Sequence, residues 1–319
     1  MADTMKMGQY AKVKGNIEDA IHMVTGPIPA ASSLTKDQIL VRVLTVALNP
    51  ADYKLPESYV GSLLIRQPAI PGFDHCSRVV AAHPSVTTFK NQLVFGGFSR
   101  APPNGTLAEY TVISASECAA LPDDVDPEHG AAAATAGTTA LHGGIGSWGL
   151  QFANAMGARV VTSCSGSGSA VDMCKELGAD EVFDYRQTDV IAGLKSRIVS
   201  FGLVVDNAGN SSDLYDISPM ILKPGGTFVQ VGIGSNVDLG SNAMTVKRSL
   251  LASFPVGGCK YYFVNAKNST ESLEQIAQWM TEGKAKAVID SKFTFAKVPQ
   301  AFQKLRTGHA KGKIVMAHI

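Results

Sequence analysis

Gly143-Gly144-Ile145-Gly146-Ser147-Trp148-Gly149, running into Leu150-Gln151-Phe152-Ala153-Asn154-Ala155-Met156 and Gly157, is the stretch that decides the fold. It reads as a glycine-rich turn that opens a short helix and is stopped by Gly157. Arg159-Val160-Val161-Thr162-Ser163 behind it reads as a buried strand. A turn of this kind presents backbone N–H groups at the positive end of a helix dipole, which suits a pyrophosphate. Gly144, Ile145 and Gly146 are its candidate cofactor contacts. Glycines also mark plain tight packing, so the weight falls on the pattern downstream of them.

Downstream the chain alternates regularly. A helix carrying Val171, Cys174 and Leu177 ends at Gly178, and Glu181-Val182-Phe183 is a short strand. Thr188 caps a helix with Val190, Ile191 and Leu194, and Leu203-Val204-Val205-Asp206 is the next strand. A helix from Ser212 to Ile221, a turn at Lys223-Pro224-Gly225-Gly226 and a strand at Thr227–Val231 come next, with a further strand expected at Leu250–Phe254. Strands alternating with helices pair in parallel through right-handed crossovers, so an α/β fold with a doubly wound sheet is expected. Ligands of such sheets bind at the carboxyl ends of the strands, which marks Ser163, Ser165, Asn207 and Gly232 as cofactor-side positions.

Upstream, from Tyr10 to about Leu121, short strand candidates are punctuated by proline and glycine. Gln38–Val46 is the clearest, expected to bury one face. This part reads as a β-rich domain, a small partly closed barrel. Asp126-Pro127-Glu128 starts a helix, with proline in its first turn and an Ala-rich run behind it. In the tail, Glu271 to Glu282 is helical, and strands at Val288-Ile289 and Lys313–Met316 rejoin the first domain. The expected division is residues 1–125 with 271–319 as one domain and 126–270 as the dinucleotide-binding domain.

Composition bounds the function. A net charge of +1 over 319 residues gives no electrostatic case for nucleic acid or an anionic membrane. The opening residues lack the apolar core of a signal peptide, and the Ala/Thr-rich run from Gly130 to Leu141 is too short to span a bilayer. Five scattered cysteines without a CxxC pair argue against a disulfide framework. A soluble, cytoplasmic protein is expected.

Several of these pieces together resemble the medium-chain dehydrogenase/reductase superfamily: Asn49-Pro50-Ala51-Asp52-Tyr53-Lys54, Pro71-Gly72-Phe73-Asp74, Ala136-Gly137-Thr138-Thr139-Ala140-Leu141, Gly144-Ile145-Gly146, Leu177-Gly178-Ala179-Asp180 and Gly312-Lys313-Ile314-Val315. The branch looks like the zinc-free quinone oxidoreductases and the stand-alone, trans-acting enoyl reductases. The resemblance implies a GroES-like β-domain beside a Rossmann domain. It also places Asn49 and Lys313 against the cofactor, Tyr53 and Lys54 near substrate, and Tyr185, with Arg186, against a 2′-phosphate. Thr139 is implied to turn its hydroxyl toward nicotinamide or substrate, against the equal alternative that it bonds its own helix backbone.

Zinc is argued against directly. A catalytic zinc needs three ligating side chains, and where zinc-dependent relatives show Gly-His-Glu this chain has Gly72-Phe73-Asp74. The adjacent His75-Cys76 pair is read as a half-buried histidine beside a packed thiol. The cofactor is expected to be NADPH: after the strand, Ser163-Cys164-Ser165-Gly166-Ser167 offers hydroxyls where an NAD enzyme places an acid.

One departure stands out. His142 runs straight into Gly143-Gly144, with no Val/Ile-rich strand before the glycines, although the dinucleotide turn joins such a strand to its helix. By the resemblance about one helix and one strand belong there, so either this sequence omits that segment or the cofactor site is rebuilt. The function expected is NADPH-dependent, metal-free reduction of an activated C=C bond in an enone, quinone or enoyl thioester. The substrate is a small molecule or is carried by a polyketide synthase partner, and the protein is a monomer or homodimer. The alternative is a redox-inactive synthase partner or a cofactor-free lyase.

Overall fold

A computed structural model describes residues 3–317, apart from 103, 144–145, 165–167, 210–211, 232–258 and 265–266. The readings of Gly144, Ile145, Ser165, Gly232 and the strand Leu250–Phe254 lie outside the described residues. The chain forms two compact units, Met1–Thr138 with Lys267–Ile319, and Thr139–Ala266.

The first unit is built on β3 (Gln38–Leu48). On one side β3 pairs along its length with β4 (Asp74–Ala82), antiparallel. Its other side is divided: β6 (Tyr110–Ser114) takes Gln38–Arg42, and β14 (Lys313–Ala317) takes Thr45–Leu48. β5 (Leu93–Gly97) and β7 (Cys118–Ala120) extend the sheet beyond β4, and β13 (Ile289–Thr294) lies outside β14, parallel to it. A hairpin of β1 (Thr4–Gln9) and β2 (His22–Pro27) completes the strands. β3 is buried on both faces rather than one, with only Arg42 fully exposed, because core lies on each side of it. That core gathers Ile17, Ile39, Val41, Leu48 and Leu107 with Phe295, Val298, Phe302, Ile314 and Met316 from the far end of the chain.

Three short helices in this unit have no counterpart in the sequence reading: α1 (Ile17–Ala20), α2 (Pro50–Glu57) and α3 (Tyr59–Leu64). Each is at most about two turns long, too short for apolar periodicity to register. α2 is set by its entrance, where Asn49 precedes a proline in the first turn and the Asp52 carboxylate accepts from the Asn49 backbone N–H at 2.6 Å. α4 (Pro127–Gly143) starts at the predicted proline, and Ala131 to Ala134 are wholly buried. The tail supplies α9 (Thr270–Thr281) and α10 (Val298–Arg306).

In the second unit α5 (Gly146–Ala155) leads to β8 (Val161–Cys164), α6 (Gly168–Glu176), β9 (Glu181–Asp184), α7 (Val190–Lys195), β10 (Phe201–Asp206), α8 (Asp213–Ile221), β11 (Leu222–Gln230) and β12 (Lys260–Phe263). The helix after the glycines begins at Gly146, inside the stretch read as the turn. Asp189, not Thr188, caps α7, accepting from Ala192 N at 3.0 Å. Lys223–Gly226 is not a separate turn but an irregularity within β11, where the pairing jumps from Leu222 to Thr227. Gly178 stops α6 with φ of +100°, the left-handed conformation its position requires. The strands pair in parallel as expected, in two groups: β8 with β9, and β10–β11–β12. Tyr215, Phe228 and Tyr261 pack as an aromatic cluster on the second group. Among the described residues no helix is long and apolar enough to cross a membrane.

Candidate functional site

In the first unit two residues far apart in sequence, Asn49 and Lys313, come together. Asn49 ends β3 at the entrance of α2, and Lys313 opens β14, the antiparallel neighbour of β3. The Lys313 ammonium donates to Asn49 Oδ1 at 2.6 Å and to Asp74 Oδ2 at 3.1 Å, while Asn49 Nδ2 donates to the same Asp74 oxygen at 2.9 Å. Asp74, the first residue of β4, is completely buried. Its other oxygen accepts from the backbone N–H of Thr135 at 3.1 Å and from the Thr135 hydroxyl, both on α4. A carboxylate out of water is stable only when paired and hydrogen-bonded, and here an ammonium, an amide, a backbone N–H and a hydroxyl all converge on Asp74. The Lys313 side chain is 13% exposed, so the ammonium sits at the edge of this buried knot.

The approach to Asp74 is cut close. Gly72 has φ of +108°, and a Cβ there would lie 2.4 Å from Thr106 Oγ1. That hydroxyl is fixed by donation to the Asp74 carbonyl at 3.1 Å. Gly97 on β5 brings its backbone beside Asp74 and Asn268, and Asn268 donates to the Gly97 carbonyl at 2.7 Å and accepts from Thr138 at 3.0 Å. Hydroxyls of α4 therefore meet the sheet at Thr135 and Thr138. Thr139, the position the resemblance singled out, is the next residue and is buried.

Beside the knot lies a second buried carboxyl. Asp52 Oδ2 receives the Asn49 N–H, but its Oδ1 has no hydrogen-bond partner, and it lines a small pocket with Tyr10, Pro56, Phe73 and Pro102. Burial pushes Asp52 up to about 7, with Asp74 adding repulsion and Lys313 and backbone N–H groups opposing the rise.

Tyr53 belongs to a different cluster. Its ring lies under the Arg306 guanidinium, 4.6 Å from centroid to carbon. Arg306 donates as a fork to Glu18 at 2.8 and 2.7 Å and also binds Glu57. Burial raises the Tyr53 phenol above its usual range. Lys54 is exposed on α2.

The residues present do not fit a catalytic zinc. Phe73 offers no ligand atom, and the one carboxylate beside it in the motif, Asp74, is committed to Lys313, Asn49 and Thr135. His75 is fully buried rather than half-buried, with Nδ1 2.9 Å from Ser77 Oγ, and burial holds it near 3, neutral at all ordinary pH. Burial pushes Cys76 up to about 12. Among the described residues no group of three or more metal-ligating side chains is assembled.

For a dinucleotide, the second unit gives two answers. Ser163 lies exposed near the end of β8, and Tyr185 and Arg186 are exposed just past β9, its parallel neighbour. A hydroxyl, a phenol and a cation at one end of paired strands suit a ribose phosphate. Asn207 is exposed just beyond β10, in a turn held by donation from Ala208 and Gly209 to Asp206. The glycine turn differs: α4 ends at Gly143 and α5 starts at Gly146, so a helix rather than a strand leads into it. These residues do not fit the strand–turn–helix cradle of a pyrophosphate.

Sequence reasoning found Asn49 and Lys313 separately and missed Asp74, Thr135 and Arg306. The signal for Asp74 was an acid standing directly before an apolar strand.

Comparison with known proteins touches both units, and the second family match runs from the second unit into the C-terminal part of the first. A sequence model described as "Alcohol dehydrogenase GroES-like domain" matches residues 35–123, and one described as "Zinc-binding dehydrogenase" matches 177–316. The chain is 37% identical over 354 aligned positions to the trans-enoyl reductase pgmF of Aspergillus terreus, covering 98% of this chain and 96% of that one. It is 28% identical to a chloroplastic quinone-oxidoreductase homolog of Spinacia oleracea, covering 99% of each. The quinone oxidoreductase structure from Coxiella burnetii superposes with a TM-score of 0.80 at 22% identity, over 99% of this chain and 100% of that one.

Proposed function

We propose, from the premise that this chain belongs to the medium-chain dehydrogenase/reductase superfamily, that it is a metal-free, NADPH-using oxidoreductase acting on an activated C=C bond. The substrate class is an enone, a quinone or an enoyl thioester. The observation that carries the reading is the near full-length likeness to a trans-enoyl reductase. The same likeness supports a polyketide synthase as the partner presenting a carrier-bound substrate; the cytoplasm is proposed as the place of work.

A bound nicotinamide supplies a hydride; the rest is asked of the chain's own side chains. Lys313 has three donors, two of them turned onto Asn49 and Asp74, which leaves one for an oxygen of cofactor or substrate. A pre-oriented ammonium at the rim of a dry site stabilises negative charge more than one in water. Thr139 is the hydroxyl proposed to meet nicotinamide or substrate. Tyr53, Lys54 or water would protonate the α-carbon; burial keeps the Tyr53 phenol protonated but makes it a weaker acid. The all-carbon side chain of Phe73 and the commitment of Asp74 support chemistry without zinc.

The test is cofactor oxidation by cofactor-bound protein with a panel of enones, quinones and enoyl thioesters, with and without a chelator. Turnover of at least one acceptor, indifferent to the chelator, is expected. Saturable NADPH binding with no turnover of any acceptor overturns the reading. The alternative of a redox-inactive partner or cofactor-free lyase is favoured by one observation, the helix that leads into the glycine turn.

A further inference from the structure

The second unit has an order that can be read strand by strand. A doubly wound dinucleotide sheet runs 3-2-1-4-5-6, and strand 1 leads through the glycine turn into the first helix. Here the first helix after the glycines is α5, so β8 and β9 take the places of strands 2 and 3, and β10, β11 and β12 those of 4, 5 and 6. The two groups, β9–β8 and β10–β11–β12, part where strand 1 belongs. Among the described residues β8 and β10 each have one partner strand instead of two.

Burial points the same way. Interior strands of a parallel sheet are covered on both faces and read as buried runs. No residue of β8 or β9 is fully buried, and in β10 only Val204 and Asp206 are, while Leu203 is 54% exposed. The sequence between α4 and α5 leaves no room for the lost strand, since Gly143 and Gly146 belong to the two helices. The likeness to pgmF spans 354 aligned positions against a chain of 319, and the two family matches leave 124–176, the stretch holding this junction, uncovered.

We infer that the nucleotide-binding unit, over its described residues, lacks its central strand, and that a helix–strand segment inserted between His142 and Gly143 completes both the sheet and the pyrophosphate turn. A mean helix, a mean strand and two short loops come to about 25 residues. The inserted strand would be a parallel, Val/Ile-rich one, pairing β8 on one side and β10 on the other. Among its described residues the chain holds the groups for a ribose phosphate at Ser163, Tyr185 and Arg186, without a strand–turn–helix cradle beside them. This inference rests on the nucleotide-dependent function proposed for the chain.

Two measurements test it. Hydrogen exchange on the purified chain is expected to show fast exchange at the β8 and β10 amides not bonded to β9 or β11. NADPH fluorescence titration of the same protein is expected to show weak binding that saturates only at high cofactor concentration. A variant carrying a helix and a Val/Ile-rich strand after His142 should protect both edges. It should also bind NADPH at least roughly 100-fold more tightly, since two charge-assisted hydrogen bonds are regained. NADPH binding by the unaltered chain as tight as the variant's overturns the inference, as does full protection of both edges in it, which would mean another part of the chain fills the slot. A variant whose edges become protected without any gain in NADPH binding overturns it too. If the variant does not fold, exchange on the unaltered chain still decides. A variant that binds NADPH but reduces no acceptor upholds this inference and sinks the reductase reading instead.

Discussion

Replacing Lys313 by methionine removes the cation that contacts a carboxylate with no access to water. Methionine keeps much of the side-chain length and fills the space, so the change is mainly one of charge. Asp74 would keep Asn49 Nδ2 and the two Thr135 donors, but its charge would stand unpaired. Breaking a buried ion pair from one side costs about 3–5 kcal/mol. At roughly 2–4 °C per kcal/mol for a unit of this size, the melting transition of the first unit falls by about 6–20 °C. The double variant Asp74→Asn/Lys313→Met removes both charges and should recover most of that loss, giving a coupling of about 2 kcal/mol or more. Calorimetry reads the loss, and exchange at β3, β4 and β14 assigns it to the first unit. If Lys313→Met melts within about a degree of the parent, or the double variant is no better than the single, the account of Asp74 as a charge held by Lys313 is wrong.

Three other outcomes are expected. Asp52 sits near 7 in the folded chain against about 3.9 unfolded, so between those values the folded state holds a proton that the unfolded state has released. Its contribution is present below about pH 4 and is lost as pH rises through 7. Asp52→Asn should flatten unfolding stability between about pH 4 and 7, and equal slopes for the two proteins would refute this. Gly72→Ala forces a left-handed residue against Thr106 and should cost about 1–3 kcal/mol in chemical denaturation; an unchanged midpoint would count against the geometry at Asp74. Arg306→Lys keeps the charge but loses the fork that ties Glu18 to Glu57, with an expected loss of about 1–3 kcal/mol by the same assay.

The sequence showed the α/β alternation because each buried run of the second unit is bracketed by residues with one meaning, such as Gly178 after α6. It also showed that β13 and β14 return to the first unit. It did not show α2 and α3, which are fixed by local capping at Asn49 and Ser58 rather than by a repeating apolar stripe. The site was legible as single residues and not as contacts. Lys313 and Asp74 are 239 positions apart, and Arg306 and Glu18 are 288 apart. Charge pairs at that distance leave no periodicity, and only the antiparallel register of β3 with β14 brings the first pair together. Tyr53 shows the converse. Its place in a motif suggested chemistry, yet what holds its ring is an arginine from α10.

The divided side of β3 has a bearing on how the protein is made. Synthesis runs from the N-terminal side, so the ribosome releases β3, β4 and Asp74 long before Lys313, and the whole nucleotide unit emerges in between. Until β14 has left the exit tunnel, half of one side of β3 stays open and the Asp74 carboxylate waits for its cation. The first unit therefore closes late, and a nascent chain stalled before residue 313 would present chaperones with an unsealed sheet however well the middle had already folded.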